Sequence, residues 1–199
     1  GVTYHDGRYR LCQAHNFEAL AAQGVEIANY AKMGACTDTG LAIVKKRLEC
    51  CEGADVLLSF GGNDCDFDWQ AVSDQPQEEH LPKVPPEQFL ENYRALIHLA
   101  REKGKNVWLS SLVPLEAHRF LDHVSQGRSR ETILGWLGDV DRIFRWQEYY
   151  SEMVCRLARE LSCPLLGLRM EFLKNPVFPA LISNDGIHPT QQGHDLVHR

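Results

Sequence analysis

Apolar residues in this chain fall into short continuous runs, separated by longer stretches in which they recur every three or four positions. The short runs predict strands, the three-to-four spacing predicts amphipathic helices, and their alternation predicts a parallel sheet covered by crossover helices. The predicted strands are Val25 to Asn29, Asp55 to Phe60, Asn106 to Leu112 and Pro164 to Leu168. The predicted helical faces are Phe17 with Leu20 and Ala21; Leu41, Val44, Leu48 and Cys51; Phe89, Tyr93, Leu96 and Ala100; and Ile143, Trp146, Tyr150, Met153, Leu157 and Leu161. Gly53 and Gly104 stand where helices should stop, and Pro85-Pro86 precedes one that should start.

Longer connections interrupt this rhythm from Asp64 to Pro86 and from Pro114 to Val140. Each follows a strand, so each is expected over the carboxyl ends of the sheet, the side on which open α/β sheets bind ligands. The second connection mixes Arg119, Arg128, Arg130 and Arg142 with Phe120, Leu121, Ile133, Leu134, Trp136 and Leu137. That mixture suits an apolar helical hairpin, with a lid over the site as the alternative. No repeat or shift of composition divides the chain, so residues 1–199 are expected to form a single domain.

Charge and composition narrow the function classes. A net charge of −6 with no basic run gives no footprint for nucleic acid or an anionic membrane. No apolar stretch approaches the roughly 20 residues of a spanning helix. The 7 cysteines show no C-x-x-C spacing and are expected to be reduced thiols, which favours the cytoplasm.

Candidate chemistry sits at strand ends. In Asp185-Gly186-Ile187-His188-Pro189 an acid and an imidazole stand one turn apart, the arrangement in which a carboxylate fixes a histidine tautomer and stabilises its protonated form. Gly61-Gly62-Asn63-Asp64 follows the run Val56 to Phe60; its glycines permit a sharp turn and close approach by a substrate, and Asn63 offers an amide to a developing oxyanion. Gly34, after the first predicted strand and before a helix near Thr37, offers a backbone N–H for the same purpose. Each segment alone is also compatible with an ordinary turn.

In this order and with these separations, the segments resemble the SGNH, or GDSL-type, hydrolase superfamily of esterases, lipases and acetylesterases. Gly34 matches that family's second block, Gly62 with Asn63 its third, and Asp185 with His188 its fifth. The resemblance implies a flavodoxin-like three-layer α/β/α fold and ester hydrolysis through a seryl intermediate, without metal or cofactor. It makes Asp185 and His188 catalytic and Asn63 and Gly34 the oxyanion donors. The family's first block, Gly-Asp-Ser, is absent; the only Gly-Asp pair, Gly138-Asp139, runs into Val140. Ser110 and Ser111 read as packing or turn residues. The serine and a first strand are therefore expected upstream of Gly1, and the last helix is expected to continue past Arg199. The rival expectations are a strand from another chain, or a catalytically inactive SGNH-like ligand-binding or regulatory module.

Asp64, Asp66 and Asp68 alternate as in a calcium loop, but Trp69 and Gln75 replace the glycine and glutamate such a loop needs. Gly62, Asp64 and Trp69 are instead expected to line the substrate cleft, a mixture suited to a small-molecule ester or an acylated carbohydrate. The histidines share no metal-ligand spacing; His118, His123 and His194 are expected to face solvent.

Overall fold

The structure, a computed structural model, describes residues 1–12, 20–48 and 53–198. In chain order its elements are β1 (Val2–His5), β2 (Arg8–Leu11), α1 (Thr37–Arg47), β3 (Asp55–Leu58), α2 (Trp69–Asp74), α3 (Pro86–Glu102), β4 (Asn106–Ser110), α4 (Ala117–Val124), α5 (Arg130–Leu137), α6 (Asp141–Glu160), β5 (Leu165–Leu166), α7 (Leu168–Leu173), α8 (Phe178–Leu181) and α9 (Gln191–Val197).

Strands β3, β4 and β5 form a parallel sheet in that order, with Val56 opposite Val107 and Leu58 opposite Leu109. Successive strand residues point to opposite faces. Leu58, Val107 and Leu109 accordingly enter the main core, where α3 supplies Phe89, Tyr93 and Leu96 and α6 supplies Tyr150, Val154 and Leu157. Leu57 and Trp108, which are register partners, face the other way and are exposed. The long helices start and stop where sequence chemistry directs. Pro86 occupies the first turn of α3, where its missing N–H costs nothing, and Gly104, at φ 71°, follows the end of that helix.

The segment Val25 to Asn29 corrects one expectation, since it is exposed and carries no strand. Apolar alternation makes a strand only when a neighbour supplies ladder hydrogen bonds. Here β3 pairs with β4 alone, so residues 25–29 have no partner strand among the described residues. The helical face expected at Phe17 and the positions of Cys50 and Cys51 lie outside the described residues. An unexpected element is the antiparallel hairpin of β1 and β2. Its two-residue turn is Asp6-Gly7, with φ of 50° and 72°. Positive φ at both positions is the twist-matched hairpin turn that Asp-Gly favours.

The two long connections fold onto each other. Helices α2, α4 and α5 bury Trp69, Val72, Phe120, Leu121, Ile133 and Leu137 in a second apolar cluster at the carboxyl ends of the strands. Asp68 caps α2 by accepting from the N–H groups of Gln70 and Ala71, and Ser129 caps α5 by accepting from Thr132.

The two sheet faces predict different sensitivities. Leu109, at 0% exposure, is expected to cost about 2–5 kcal/mol on truncation to alanine. Leu57, at 55% exposure, is expected to cost less than about 1 kcal/mol. Urea unfolding of Leu109→Ala and Leu57→Ala checks the difference; equal losses would contradict this assignment of the faces.

Candidate active site

The turn at Asp185 is closed by backbone hydrogen bonds from Ser183 N–H to the His188 carbonyl (2.7 Å) and from Gly186 N–H to the Ser183 carbonyl (3.0 Å). Asp185 is fully buried inside it. One carboxylate oxygen accepts from the backbone N–H groups of Ile187 (3.2 Å) and His188 (3.1 Å). The other meets His188 Nδ1 at 2.5 Å. One oxygen thus fixes the turn and the other fixes the ring. Burial alone would raise the Asp185 pKa, but the hydrogen bonds and charge of His188, with the Ile187 N–H, hold it below the ordinary 3.8. The carboxylate is therefore ionised throughout the range in which an imidazole titrates. With Nδ1–H donated to Asp185, Nε2 is the basic nitrogen, and it has no hydrogen-bond partner among the described residues.

Gly186 is required by this packing. Its φ is 80°, and a Cβ there would lie 2.3 Å from the Phe120 nitrogen and 2.6 Å from the Glu116 carbonyl oxygen. Its own carbonyl accepts from Glu116 N–H at 2.7 Å, so the turn is seated on the first residues of α4.

The second strand-end turn is pinned in the same way. Asp64 is fully buried; one oxygen accepts from Thr37 N–H (2.8 Å) and Thr37 Oγ1 (2.6 Å), the other from Gly61 N–H (3.0 Å). Burial raises its pKa more than these hydrogen bonds lower it. Asn92 of α3 donates to Thr37 Oγ1 (3.0 Å) and Asp38 (2.7 Å), tying the start of α1 to α3. The result is a turn in which Gly62 is exposed with no atom near its Cβ position, and Asn63 donates from Nδ2 to the Ala35 carbonyl at 3.2 Å.

His188, Asn63, Gly62 and Trp69 line one cavity of ≈290 Å³ at the carboxyl end of the sheet. Of the residues singled out from the sequence, Asp185, Asp64 and Gly34 do not line it. Asp64 is a tie between turn and helix, with both oxygens engaged, and so corrects its assignment to the substrate cleft. Gly34 is exposed, at φ 73°; its neighbour Ala35 reaches the cavity wall instead. The alternating acids have separate structural partners, since Asp66 accepts from Trp69 Nε1 (2.8 Å) and from Lys83 (2.7 Å), and Asp68 caps α2. No group of His, Cys, Asp and Glu among the described residues is placed to hold a metal. Ser110 donates to Ser59 (2.8 Å), and Ser111, which lines the cavity, accepts from Arg169 N–H (2.9 Å).

Sequence reasoning missed Tyr9. The hairpin is held by His194, whose Nε2 lies 3.0 Å from the Val2 carbonyl, and by Ser183 Oγ, which accepts from Tyr4 N–H at 3.3 Å. This places the Tyr9 ring edge-to-face against His188, with centroids 5.2 Å apart. Burial, then the charge of Asp185, raises the Tyr9 pKa. The available signal was Asp6-Gly7 between runs of alternating character. His194 is consequently buried, and His123 is half-buried with its ring 5.1 Å from that of Tyr4, both against the expectation of solvent.

A profile of the GDSL-like lipase/acylhydrolase family matches residues 3–196. No curated protein matches the chain in sequence. Among solved structures, a lipase/acylhydrolase from Enterococcus faecalis is 18% identical with a TM-score of 0.62, over 91% of this chain and 77% of that one. LAE5, an α/β hydrolase enzyme from the metagenome of Lake Arreo, Spain, is 19% identical with a TM-score of 0.64, over 93% and 74%. A variant of Axe2, an acetyl xylan esterase from Geobacillus stearothermophilus, is 19% identical with a TM-score of 0.63, over 92% and 74%. These likenesses establish a shared fold.

The close approach at Gly186 gives a stability prediction. Gly186→Ala adds a backbone clash and a strained positive φ, and is expected to destabilise the protein by about 2–4 kcal/mol in chemical denaturation. Gly62→Ala, with open space around it, is expected to cost less than about 1 kcal/mol. Equal tolerance at both positions would contradict the packing of the turn on α4.

Proposed function

The chain belongs to the GDSL-like lipase/acylhydrolase family, and on that premise we propose that it hydrolyses a carboxylic ester of a small molecule, with a serine upstream of Gly1 as nucleophile. The carrying observation is the 2.5 Å contact of Asp185 with His188 Nδ1, which leaves Nε2 as the base beside the cavity that Asn63 also lines.

In this reading His188 Nε2 takes the serine proton as the serine oxygen bonds to the ester carbonyl carbon. Asp185 stabilises the imidazolium that forms, without itself accepting the proton. The Asn63 amide is the oxyanion donor, stabilising negative charge as it develops on the carbonyl oxygen. His188 then returns the proton to the departing alcohol, and water, activated by the same nitrogen, releases the acid. Gly34, exposed and away from the cavity wall, is not needed for this scheme.

That Axe2 is an acetyl xylan esterase makes an acylated carbohydrate a second substrate class to test. The described cysteines are all free, which supports a reducing, cytoplasmic setting, and no helix among the described residues is long and apolar enough to cross a membrane.

Full-length protein is expected to turn over p-nitrophenyl acetate and to be labelled by a fluorophosphonate at a serine preceding Gly1, identified by peptide mass spectrometry. Asp185→Asn is expected to lower kcat about 10⁴-fold, because the ring loses the partner that selects its tautomer. His188→Ala should lose at least as much. An unchanged rate in His188→Ala, or a label on Ser110 or Ser111, would overturn this assignment.

A further inference from the structure

The walls of the active-site cavity contain many polar side chains, yet nearly all of them are already engaged. Gln147 accepts through Oε1 from Leu115 N–H and from Arg169 (both 3.2 Å), and donates through Nε2 to the Val113 carbonyl (3.1 Å). Asp66 has a donor on each oxygen, from Trp69 Nε1 and Lys83. Trp146 Nε1 donates to the Cys65 carbonyl at 2.9 Å. Ser59 and Ser111 are hydrogen-bonded to Ser110 and to Arg169 N–H. Arg142 donates to the Trp136 carbonyl at 3.1 Å and lies over the Trp136 ring at 5.0 Å. What the protein leaves for a ligand is mainly apolar surface from Phe67, Trp69, Phe120, Leu137, Ile143 and Trp146, with the rest of the Arg142 guanidinium at the wall and His188 Nε2 and the Asn63 turn at the reacting end.

A sugar in such a space would bury hydroxyls with few partners, and each unpaired one weakens binding roughly tenfold. An alkyl or aryl group meets no such penalty and gains roughly fourfold in affinity per buried methylene. The cavity measures ≈290 Å³, about twice the ~150 Å³ void that holds benzene. An acetyl group would leave most of it unfilled.

We propose that this cavity is the acyl pocket of the enzyme, and that the preferred substrates carry an apolar acyl group of about six carbons or more, with the alcohol portion outside. This rests on the proposed ester hydrolysis and specifies its substrate. The helices that close the pocket, α2, α4 and α5, come from the two long connections and thereby set acyl selectivity.

Two measurements on full-length protein test the proposal. The first is kcat/KM for p-nitrophenyl acetate, butyrate, hexanoate and octanoate, with an acetylated xylooligosaccharide as the polar comparison. A rise of roughly 100-fold or more from acetate to the longer esters is expected. Leu137→Phe, which narrows the pocket, should lower the octanoate-to-acetate ratio about tenfold, and Phe67→Ala, which lengthens it, should move the optimum to a longer chain. Flat or falling values along the series, or a preference for the acetylated xylooligosaccharide, would overturn the acyl pocket while leaving ester hydrolysis intact. The second measurement is tryptophan fluorescence of His188→Ala protein titrated with octanamide and acetamide, which needs no turnover. Saturable binding of octanamide alone supports the pocket even if no ester is hydrolysed, and that case would overturn the proposed hydrolysis instead. No response to octanamide would overturn the pocket.

Discussion

A carboxylate removed from water must be met by donors on both oxygens, and this fold places one such carboxylate under each of the turns that form its site. Asp64 collects the N–H and hydroxyl of Thr37 and the N–H of Gly61, so it locks the turn after β3 to the start of α1. Asp185 collects the N–H groups of Ile187 and His188 and the His188 ring, so it locks the turn before α9 and aims a base with the same group. In Asp185 the structural duty and the proposed chemical one share one residue, whereas both oxygens of Asp64 are spent on structure.

The cap formed by α2, α4 and α5 works on a complementary principle. Its aromatic residues bring bulk and edge-to-face contacts: Phe67 lies 5.7 Å from Trp69 and 5.1 Å from Trp136. The Trp69 indole N–H is turned toward Asp66, and that of Trp146, on the adjoining α6, toward the Cys65 carbonyl. A wall with its polar atoms paired internally is selective for apolar groups without any specific contact to them. The cap is also joined to the turn that carries Asp185 and His188, because Gly186 sits against Glu116 and Phe120 at the start of α4.

Much of this was legible in the sequence because the signals were local. The strand runs at Val56 and Val107, the proline start of α3 and the acid-x-x-imidazole turn each depend on a few neighbouring residues. Expectations failed where the deciding contact was distant in sequence. Val25 to Asn29 has the pattern of a strand but no ladder partner among the described residues, and His194 looks surface-exposed until β1 of the hairpin is laid across it. Asp64 reads as a cleft residue beside Asn63, but its partners are Thr37, 27 positions upstream, and Gly61. Tyr9 was hidden for the same reason, since 179 residues separate the Tyr4 N–H from the Ser183 hydroxyl that helps dock its hairpin.

The central claim is that Asp185 holds His188 in one tautomer, protonated on Nδ1 and basic at Nε2. Nitrogen-15 NMR of the histidine rings in full-length protein, assigned by comparison with His188→Ala, reads this directly at a pH where the ring is neutral. The account predicts a protonated Nδ1 and an unprotonated Nε2 for His188, with the preference weakened or reversed in Asp185→Asn. A His188 ring protonated on Nε2 in the unaltered protein, or a tautomer preference unchanged in Asp185→Asn, would contradict it.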